Sequence, residues 1–406
     1  MSASRPPRSR PVGRYPAHAA GRGAGWQMPR SSAARRRRRT FLVVVVVVVG
    51  LVAWFVASSF GSPPPPSSAG HGGQGSGRTP GTTDAGTQAS LVAQVARWHL
   101  PGGVSRAGAV PIPGGKILLL GGLLSTGGSS ADVGVLDPST GTLTSVATLA
   151  SRTHDAASAL LGGRAFLFGG GQSTPFGTVE AVTVPSPGAT SGNASGVVTG
   201  QLPQARADDS AVTVGTTAYV VGGYDGATGE PAVLATQDGS TFTTVATLPV
   251  DVRYGAVVAA GGKIFVFGGE SATGGTTAQY FTPTGSTTPP PGQEVAVAQE
   301  IDPQTGAATV VGYLPHAVQG AAAFVLGGHI YLAGGDSNAP GASPASGSTI
   351  WSFDPSSGAF QVAGHLAEPV AYAAVAVVGH SVWLIGGERN GTQVDTAQKV
   401  VLRSSH

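Results

Sequence analysis

The sequence predicts an all-β protein, a six-bladed β-propeller that follows a membrane anchor. The composition points first to the β class, because 64 glycines and 30 prolines among 406 residues, with only 11% charged residues, favour short strands and tight turns over salt-bridged helices. A strand motif that repeats at a constant spacing then predicts the propeller. The absence of cysteine excludes disulfide bonds, thiolate metal sites and cysteine nucleophiles.

The repeated motif is a short apolar strand that ends in two glycines. It is preceded by a tight turn and a strand of small residues, so each unit begins with a strand, a turn and a second strand. The motif occurs six times, as KILLLGG ending at Gly122, AFLFGG at Gly170, AYVVGG at Gly223, KIFVFGG at Gly269, IYLAGG at Gly335 and VWLIGG at Gly387.

A second marker gives the same period independently. A leucine that closes a strand lies 20 residues before the first glycine of each pair, or 21 residues in the first repeat. These leucines are Leu100, Leu149, Leu202, Leu248, Leu314 and Leu366. Two further strands fit between each glycine pair and the next leucine, and four strands per unit of about 50 residues is the arithmetic of a propeller blade.

The ends of the repeat region predict how the ring closes. Residues 91–100 supply a fourth strand before any first strand, whereas only a third strand, at 396–402, follows the last glycine pair. We therefore expect the N-terminal strand to complete the last blade, which leaves neither blade with an open edge.

Over roughly residues 91–403 the pattern resembles Kelch repeats, in the double glycine, its position at the end of the second strand and the period. The aromatic pair that usually follows in Kelch units is approximated by Phe353 and Phe360 but replaced by Leu136 and Leu143 in the first repeat. The resemblance implies a propeller that binds peptides or other ligands through arginines at the starts of first strands. The family that the chain resembles also has exported bacterial members that act on sugars, such as sialic acid mutarotases.

The N-terminal region predicts a membrane anchor. Residues 1–39 carry eleven arginines and no acidic residue and are expected to be a disordered cytoplasmic tail, and residues 40–60 are an apolar span of membrane-crossing length. Residues 61–90 read as a flexible linker and 91–406 as the exported domain, because the arginines lie on the N-terminal side of the span. A cleaved signal peptide is the alternative.

This topology predicts a single-pass plasma-membrane protein, and the use of 20 arginines against three lysines with many Ala, Gly and Val residues suggests GC-rich coding DNA and a bacterial cell envelope. Residues 1–60 carry a charge of +11 and residues 61–406 a charge of −8, so the total of +3 describes neither part. Membrane lipid is the expected partner of residues 40–60 and of Arg35–Arg39, and nucleic acid is not expected.

The candidate ligand-binding residues surround the predicted channel mouth. Arginines begin the first strands of repeats one to four, whereas acidic residues follow the glycine pairs of repeats four to six, which suggests a positive side and a negative side. The candidates are Arg106, Arg152, His154, Arg206, Arg253, Glu270, Asp336 and Glu388. The alternative role of the arginines is structural, as strand caps paired with Asp155, Asp208 or Asp209.

Signals of catalysis are weak. No nucleophile elbow, phosphate loop or nucleotide fingerprint is present, and no two histidines have metal-ligand spacing, so we predict no catalytic residue, metal or cofactor. The loop 270–294 is far longer than its counterparts and is either a binding element or a surface insertion. A module that binds a protein or carbohydrate is the favoured function, with a sugar-modifying enzyme of the sialic acid mutarotase type or a purely structural envelope protein as alternatives.

Overall fold

The structure is a computed structural model that describes residues 90–185, 194–271, 293–337 and 347–403. The predicted tail, the predicted span at 40–60, all of the linker except Ser90 and most of the loop 270–294 lie outside these residues. Among the residues described, no helix is long and apolar enough to cross a membrane.

The described residues form β-strands joined by turns and loops. In chain order, the strands of the first half are β1 (Leu91–Val95), β2 (Val104–Ser105), β3 (Gly108–Ile112), β4 (Lys116–Leu120), β5 (Leu123–Leu124), β6 (Ser130–Leu136), β7 (Leu143–Leu161), β8 (Arg164–Gly171), β9 (Thr178–Thr183), β10 (Ala194–Ser195), β11 (Val197–Gln201), β12 (Ser210–Val214), β13 (Thr217–Val221), β14 (Ala232–Thr236) and β15 (Thr243–Thr247). Those of the second half are β16 (Ala256–Ala260), β17 (Lys263–Phe267), β18 (Glu270–Ser271), β19 (Gln293–Glu294), β20 (Val297–Ile301), β21 (Ala308–Tyr313), β22 (Ala322–Leu326), β23 (His329–Ala333), β24 (Thr349–Asp354), β25 (Ala359–His365), β26 (Ala374–Val378), β27 (Ser381–Ile385), β28 (Glu388–Arg389), β29 (Thr392–Gln393) and β30 (Ala397–Leu402).

The larger sheets have the antiparallel order expected of propeller blades. Four sheets have four strands each, in the orders β12-β13-β14-β15, β16-β17-β20-β21, β22-β23-β24-β25 and β26-β27-β30-β1. A further sheet of eight strands runs β3-β4-β6-β7-β8-β9-β11, with β10 paired to β7. Its centre is the 19-residue strand β7, which pairs with β6 through its first part and with β8 from His154 onward.

The N-terminal strand lies in the same sheet as the C-terminal strand. Leu91 to Val95 of β1 pair antiparallel with Leu402 to Gln398 of β30. Shortly after β1, the ring of Trp98 stacks on that of Trp383 at 5.9 Å, and its indole N–H donates to the carbonyl of Pro138 at 3.1 Å. This one side chain therefore joins the last sheet to the first part of the eight-stranded sheet.

The double glycines explain how neighbouring repeats are joined. Both glycines of every pair have positive φ, and a Cβ on the first glycine would lie 2.1–2.7 Å from a backbone carbonyl oxygen of the next repeat. The N–H of the second glycine donates to that same carbonyl at 2.8–2.9 Å. The acceptors are the carbonyls of Val104, Thr153, Arg206, Val252, Val318 and Val370, and Gly387 of the last repeat donates to Val104 of the first. Only glycine allows this approach of two backbones.

A second set of backbone hydrogen bonds closes around the centre. Six residues, each just before a first strand and each with φ between 53° and 62°, donate their N–H to the carbonyl of the previous member at 2.8–3.1 Å. We call them the backbone ring: Arg106, Asp155, Asp208, Tyr254, Gly320 and Tyr372. Five of the six are not glycine, although a left-handed conformation is unfavourable for side-chain-bearing residues. Such strain is common where a backbone is held for function.

Apolar side chains fill the spaces between adjacent sheets. One core cluster, for example, combines Phe265 and Phe267 of β17 with Ile330, Leu332 and Phe353 of the next sheet, all buried. The second strands of the repeats, such as β17 with the sequence KIFVF, are buried along nearly their whole length and carry apolar residues in continuous runs.

Candidate functional site

A cavity of about 630 Å³ occupies the centre of the molecule. Its walls are the first strands of all six repeats, whose small side chains, such as Ala109, Ala211 and Ala323, leave the space open. Arg106 and Tyr254 belong to the backbone ring and lie at the end of the cavity where these strands begin. The cavity is therefore largely apolar along its walls and polar at its ring end.

Arg106 crosses the ring end of the cavity. Its Nη1 atom donates to the hydroxyl of Tyr254, from the fourth repeat, at 2.8 Å and to the carboxyl of Asp155 at 3.2 Å. Its guanidinium lies over the ring of Tyr372 at 4.3 Å, within cation–π range. Its Nε atom and the hydroxyl of Ser105 both donate to Glu388, each at 2.8 Å. Arginine suits this position because its five donors lie in a fixed plane.

Asp155 and Asp208 are neighbours in the ring, and their buried carboxyl groups interact with each other. Burial raises the pKa of both, and burial together with the charge of Asp155 raises the pKa of Asp208 to about 7. The pair is therefore expected to hold one proton and one negative charge near neutral pH.

The outer side of the ring is built from two sets of residues that pair through their backbones. One set directly precedes the ring residues and the other directly follows the glycine pairs. The pairs are Ser105 with Leu123, His154 with Gly171, Ala207 with Tyr224, Arg253 with Glu270, Gln319 with Asp336 and Ala371 with Glu388. We call these twelve residues, together with the backbone ring, the ring mouth.

The ring mouth contains four more of the predicted candidates beside the backbone ring: Arg253, Glu270, His154 and Asp336. Arg253 donates to Glu270, with its Nε atom at 3.0 Å, and its Nη1 atom lies 3.6 Å from the carboxyl of Asp208. His154 contacts the hydroxyl of Ser129 at 2.8 Å, and burial with the charge of Arg106 lowers its pKa. Burial and the charge of Glu388 raise the pKa of Asp336. With Arg106 and Glu388, the structure thus brings six of the eight candidates together.

Arg152 and Arg206 have other surroundings. Arg152 is exposed and donates to the backbone carbonyl of Ser129. The side chain of Arg206 is 1% exposed and donates to the carbonyls of Gly222 and Ala232 at 3.0 and 3.2 Å. It therefore lies within the fold and not in the ring mouth, which agrees with the structural alternative for this arginine.

The reason is a difference of register. Counted from the ring residue of its own repeat, Arg106 is in the ring, Arg253 is one residue earlier, Arg206 two and Arg152 three. Side chains of successive residues in extended chain point in opposite directions, so four arginines near strand starts do not share one orientation. The equivalents of Arg206 are buried or half-buried valines and a threonine.

The mouth is also not divided into a positive and a negative side. Glu388 of the last repeat bonds to Arg106 of the first, and Glu270 bonds to Arg253 of its own repeat. Glu388 and Glu270 are thus interleaved with the arginines and paired with them, whereas Asp336 forms no ion pair among the residues that the structure describes.

Sequence reasoning missed the two tyrosines and the carboxyl pair. Tyr254 and Tyr372 contact each other edge to face at 5.3 Å and both lie against Arg106, while Asp155 and Asp208 were considered only as partners of arginines. The sequence does indicate which residues share the backbone ring, because every ring residue lies 14 residues before its glycine pair, or 15 in the first repeat. Aligning the repeats on the glycines would have placed these residues together.

Within the described ranges, no group of three or more histidine, aspartate and glutamate side chains is arranged to hold a metal ion. The described side chains at the mouth offer paired arginines and carboxylates, tyrosine rings and hydroxyls, and two neighbouring carboxyl groups whose pKa values are raised.

The comparison with solved structures decides the architecture. The chain is similar to a structure titled "Structure of YjhT", with a TM-score of 0.58 and 17% sequence identity, over 74% of this chain and 95% of that chain. The chain carries a β-propeller. It matches 462 chains of solved structures, so the propeller alone does not select a function. A scan against protein-family models and a search of curated proteins each found no match.

The ring mouth, at the end of the cavity, is where this propeller gathers charged and aromatic side chains that a ligand could contact. The central cavity ends at the ring, and the ring mouth combines fixed backbone, partly exposed aromatic rings and charged groups from several repeats. A rigid scaffold that presents such groups is suited to recognition of a small polar ligand or of the end of a larger one.

Proposed function

We propose that the chain is a membrane-anchored, extracytoplasmic Kelch-type propeller with six blades, and that it binds a carbohydrate at the ring mouth. Two features support the number of blades. The backbone ring has six members, and the eight-stranded sheet divides at β7 into two sets of four strands, with β10 at the side. The double glycines, which join successive repeats, support the Kelch resemblance.

The proposed anchor rests on the sequence. The apolar span at 40–60 follows five arginines, Arg35–Arg39, and this order favours a cytoplasmic N-terminus and an exported propeller. Protease treatment of intact cells tests it, since an exported propeller is cut or released while residues 1–39 remain protected. Protection of the propeller would contradict the proposed orientation.

A carbohydrate is the ligand class that best fits the groups at the mouth. Tyr224, Tyr254 and Tyr372 are partly exposed, and Arg253 lies 4.9 Å from the ring of Tyr224. Sugars present C–H faces that pack on aromatic rings and hydroxyls that bond to charged side chains held in plane. This juxtaposition of tyrosine rings with Arg253, Glu270 and Arg106 carries the proposal.

Binding of the full chain in detergent to a glycan array tests the proposal. We expect Arg253→Gln to lose most of the binding, because its guanidinium reaches both the tyrosine rings and Glu270. Arg389→Gln is the matched control, because Arg389 pairs with Glu368 outside the mouth. Equal binding by both variants, or no glycan bound by the unmodified chain, would refute a carbohydrate site at the mouth.

The carboxyl pair supports a second candidate, an enzyme of the sialic acid mutarotase type. Opening a sugar ring needs one group to accept the proton of the anomeric hydroxyl and another to donate a proton to the ring oxygen. Burial raises the pKa of Asp155 and, with the charge of Asp155, raises that of Asp208 to about 7. The pair, which lies beside Arg106 and His154, can therefore supply both an acid and a base near neutral pH. Closure of the ring returns both protons.

Anomer equilibration of N-acetylneuraminic acid, followed by NMR, tests this candidate. If the pair is catalytic, Asp208→Asn lowers the rate about a hundredfold or more, the usual contribution of an acid–base group, while binding persists. A rate with the unmodified chain equal to that of buffer alone would exclude mutarotation of this sugar.

A further inference from the structure

The fifth and sixth repeats carry unused hydrogen-bonding groups at the ring mouth. On the side of repeats one to four, Arg106, Arg253, Asp208 and Glu270 bond to one another or to ring tyrosines. On the side of repeats five and six, the hydroxyl of Tyr372 and the carboxylate of Asp336 have no hydrogen-bond partner among the residues that the structure describes.

Gly320 makes room for the ring of Tyr372. It is the one ring member without a side chain, and a Cβ at this position would lie 2.6 Å from that ring. The residue before it, Gln319, pairs through its backbone with Asp336. The Oε1 atom of Gln319 is buried and lacks a partner within the described part of the chain, although its Nε2 atom donates to Glu294 at 3.1 Å.

The unused groups can all accept hydrogen bonds, and the carboxylate and the amide oxygen can only accept. A ligand that satisfies them must donate. Burial raises the pKa of Tyr372. Arg106 lowers it, and the nearby charges of Asp336, Glu388 and Glu270 raise it.

The ring mouth as a whole carries a net negative charge. Glu270, Glu388, Asp336 and the single charge of the carboxyl pair outnumber the two arginines of the mouth, Arg106 and Arg253. Arg152, which is exposed, belongs to the second repeat, on the opposite side of the ring from the fifth. A positively charged hydrogen-bond donor would offset the excess of negative charge beside Asp336.

We infer that the sugar bound at the mouth carries a protonated amino group, which donates to Asp336 and to the Tyr372 hydroxyl beside Gly320. An ammonium group offers three donors and a positive charge, which is what Asp336, Tyr372 and Gln319 lack. The inference rests on the proposed carbohydrate function and narrows it to amino sugars.

Calorimetric titration of the full chain in detergent at pH 6.5 with glucosamine, N-acetylglucosamine and glucose tests the inference. Glucosamine should bind about tenfold or more tightly than the other two, because acetylation or a hydroxyl removes the charge-assisted bond. Asp336→Asn and Tyr372→Phe should each abolish this preference for glucosamine.

The control is Asp395→Asn, which removes an exposed carboxylate that pairs with His99 away from the mouth and should keep the preference for glucosamine. Equal binding of all three sugars, or a preference that survives in both mouth variants, would overturn the inference and leave the carbohydrate proposal standing. If none of the sugars binds and the glycan array is also blank, both proposals fail.

Discussion

Gly320 shows how one missing side chain shapes the candidate site. Its φ of 62° is shared by the other ring members, which carry side chains, so conformation alone does not demand glycine there. The close packing of Tyr372 does, since no Cβ fits between the backbone and that ring. The residue is therefore needed for contact with its neighbour more than for its own backbone angle.

Gly320→Ala should lower the free energy of unfolding by about 2–4 kcal/mol, from left-handed strain plus displacement of Tyr372. The matched control is Gly215→Ala, at φ 61° with open space around the new Cβ, which should cost only the strain of about 1 kcal/mol. Urea unfolding measures both. Equal losses in the two variants would show that Tyr372 is not packed against Gly320.

The carboxyl group of Asp208 makes the stability of the folded chain depend on pH. In the folded chain its pKa is raised to about 7, above its ordinary value of 3.8, by burial and by the charge of Asp155. The folded state therefore keeps a proton that the unfolded state releases between about pH 4 and pH 7. Since the unfolded state binds fewer protons in this window, stability falls as pH rises through it.

Asp208→Asn should flatten the decline in unfolding free energy between pH 4 and pH 7, because asparagine carries no titrating proton. Gln361→Leu, at an exposed and uncharged position on β25, serves as the reference and should keep the slope of the unmodified chain. Chemical unfolding at several pH values measures the slopes, and an undiminished slope in Asp208→Asn would contradict a shared proton.

At the scale of elements, polar side chains buried on third strands hold the segments that lead into the first strand of the same repeat. Gln299 on β20 is fully buried, accepts the N–H of Val250 at 2.9 Å and donates to its carbonyl at 3.1 Å. Gln398 on β30 does the same for Glu368, and Glu180 on β9 accepts two backbone N–H groups. Each side chain thus supplies the hydrogen bonds that a neighbouring strand would otherwise give to these backbone groups.

Gln299→Leu should destabilise the chain by about 2–4 kcal/mol, because it leaves the buried N–H and C=O of Val250 without partners. Gln361→Leu, at an exposed position on β25, should change stability by less than about 0.5 kcal/mol. Thermal or urea unfolding compares the two, and similar small effects would mean that the Val250 groups find other partners.

At the scale of the whole molecule, closure depends on the N-terminal strand. β1 covers β30 along five residue pairs, and Leu91 is buried in a core cluster shared with the fifth repeat. Without β1, the last sheet would expose an unpaired strand edge, which is a site of misassembly.

A chain that begins at Ser90 should fold cooperatively, whereas one that begins at Ala96 should lose about 3 kcal/mol or more, from the burial of Leu91 and the ladder of β1. Circular dichroism during thermal unfolding, with light scattering for aggregation, compares the two truncations. Identical melting curves would show that β1 is dispensable for closure.

The sequence could predict the repeats but not the directions of side chains within them. Glycine pairs mark positions where backbones touch, a requirement that no other residue meets, so they are visible in a single sequence. Arg206 and Arg253 look alike in that pattern, yet one is buried in the fold and the other lies in the mouth, because they differ by one register step. Pairing of Asp155 with Asp208 requires the ring itself, which joins residues 53 positions apart.

The backbone ring has a consequence for the motions of the molecule. A helix or a strand ladder frays from its ends, since the terminal hydrogen bonds have neighbours on one side only. The hydrogen bonds of the six ring amides run from each residue to the one before it and return to the start, so none of them is terminal. The six amides should then exchange with deuterium at one common, slow rate, as a single cooperative unit.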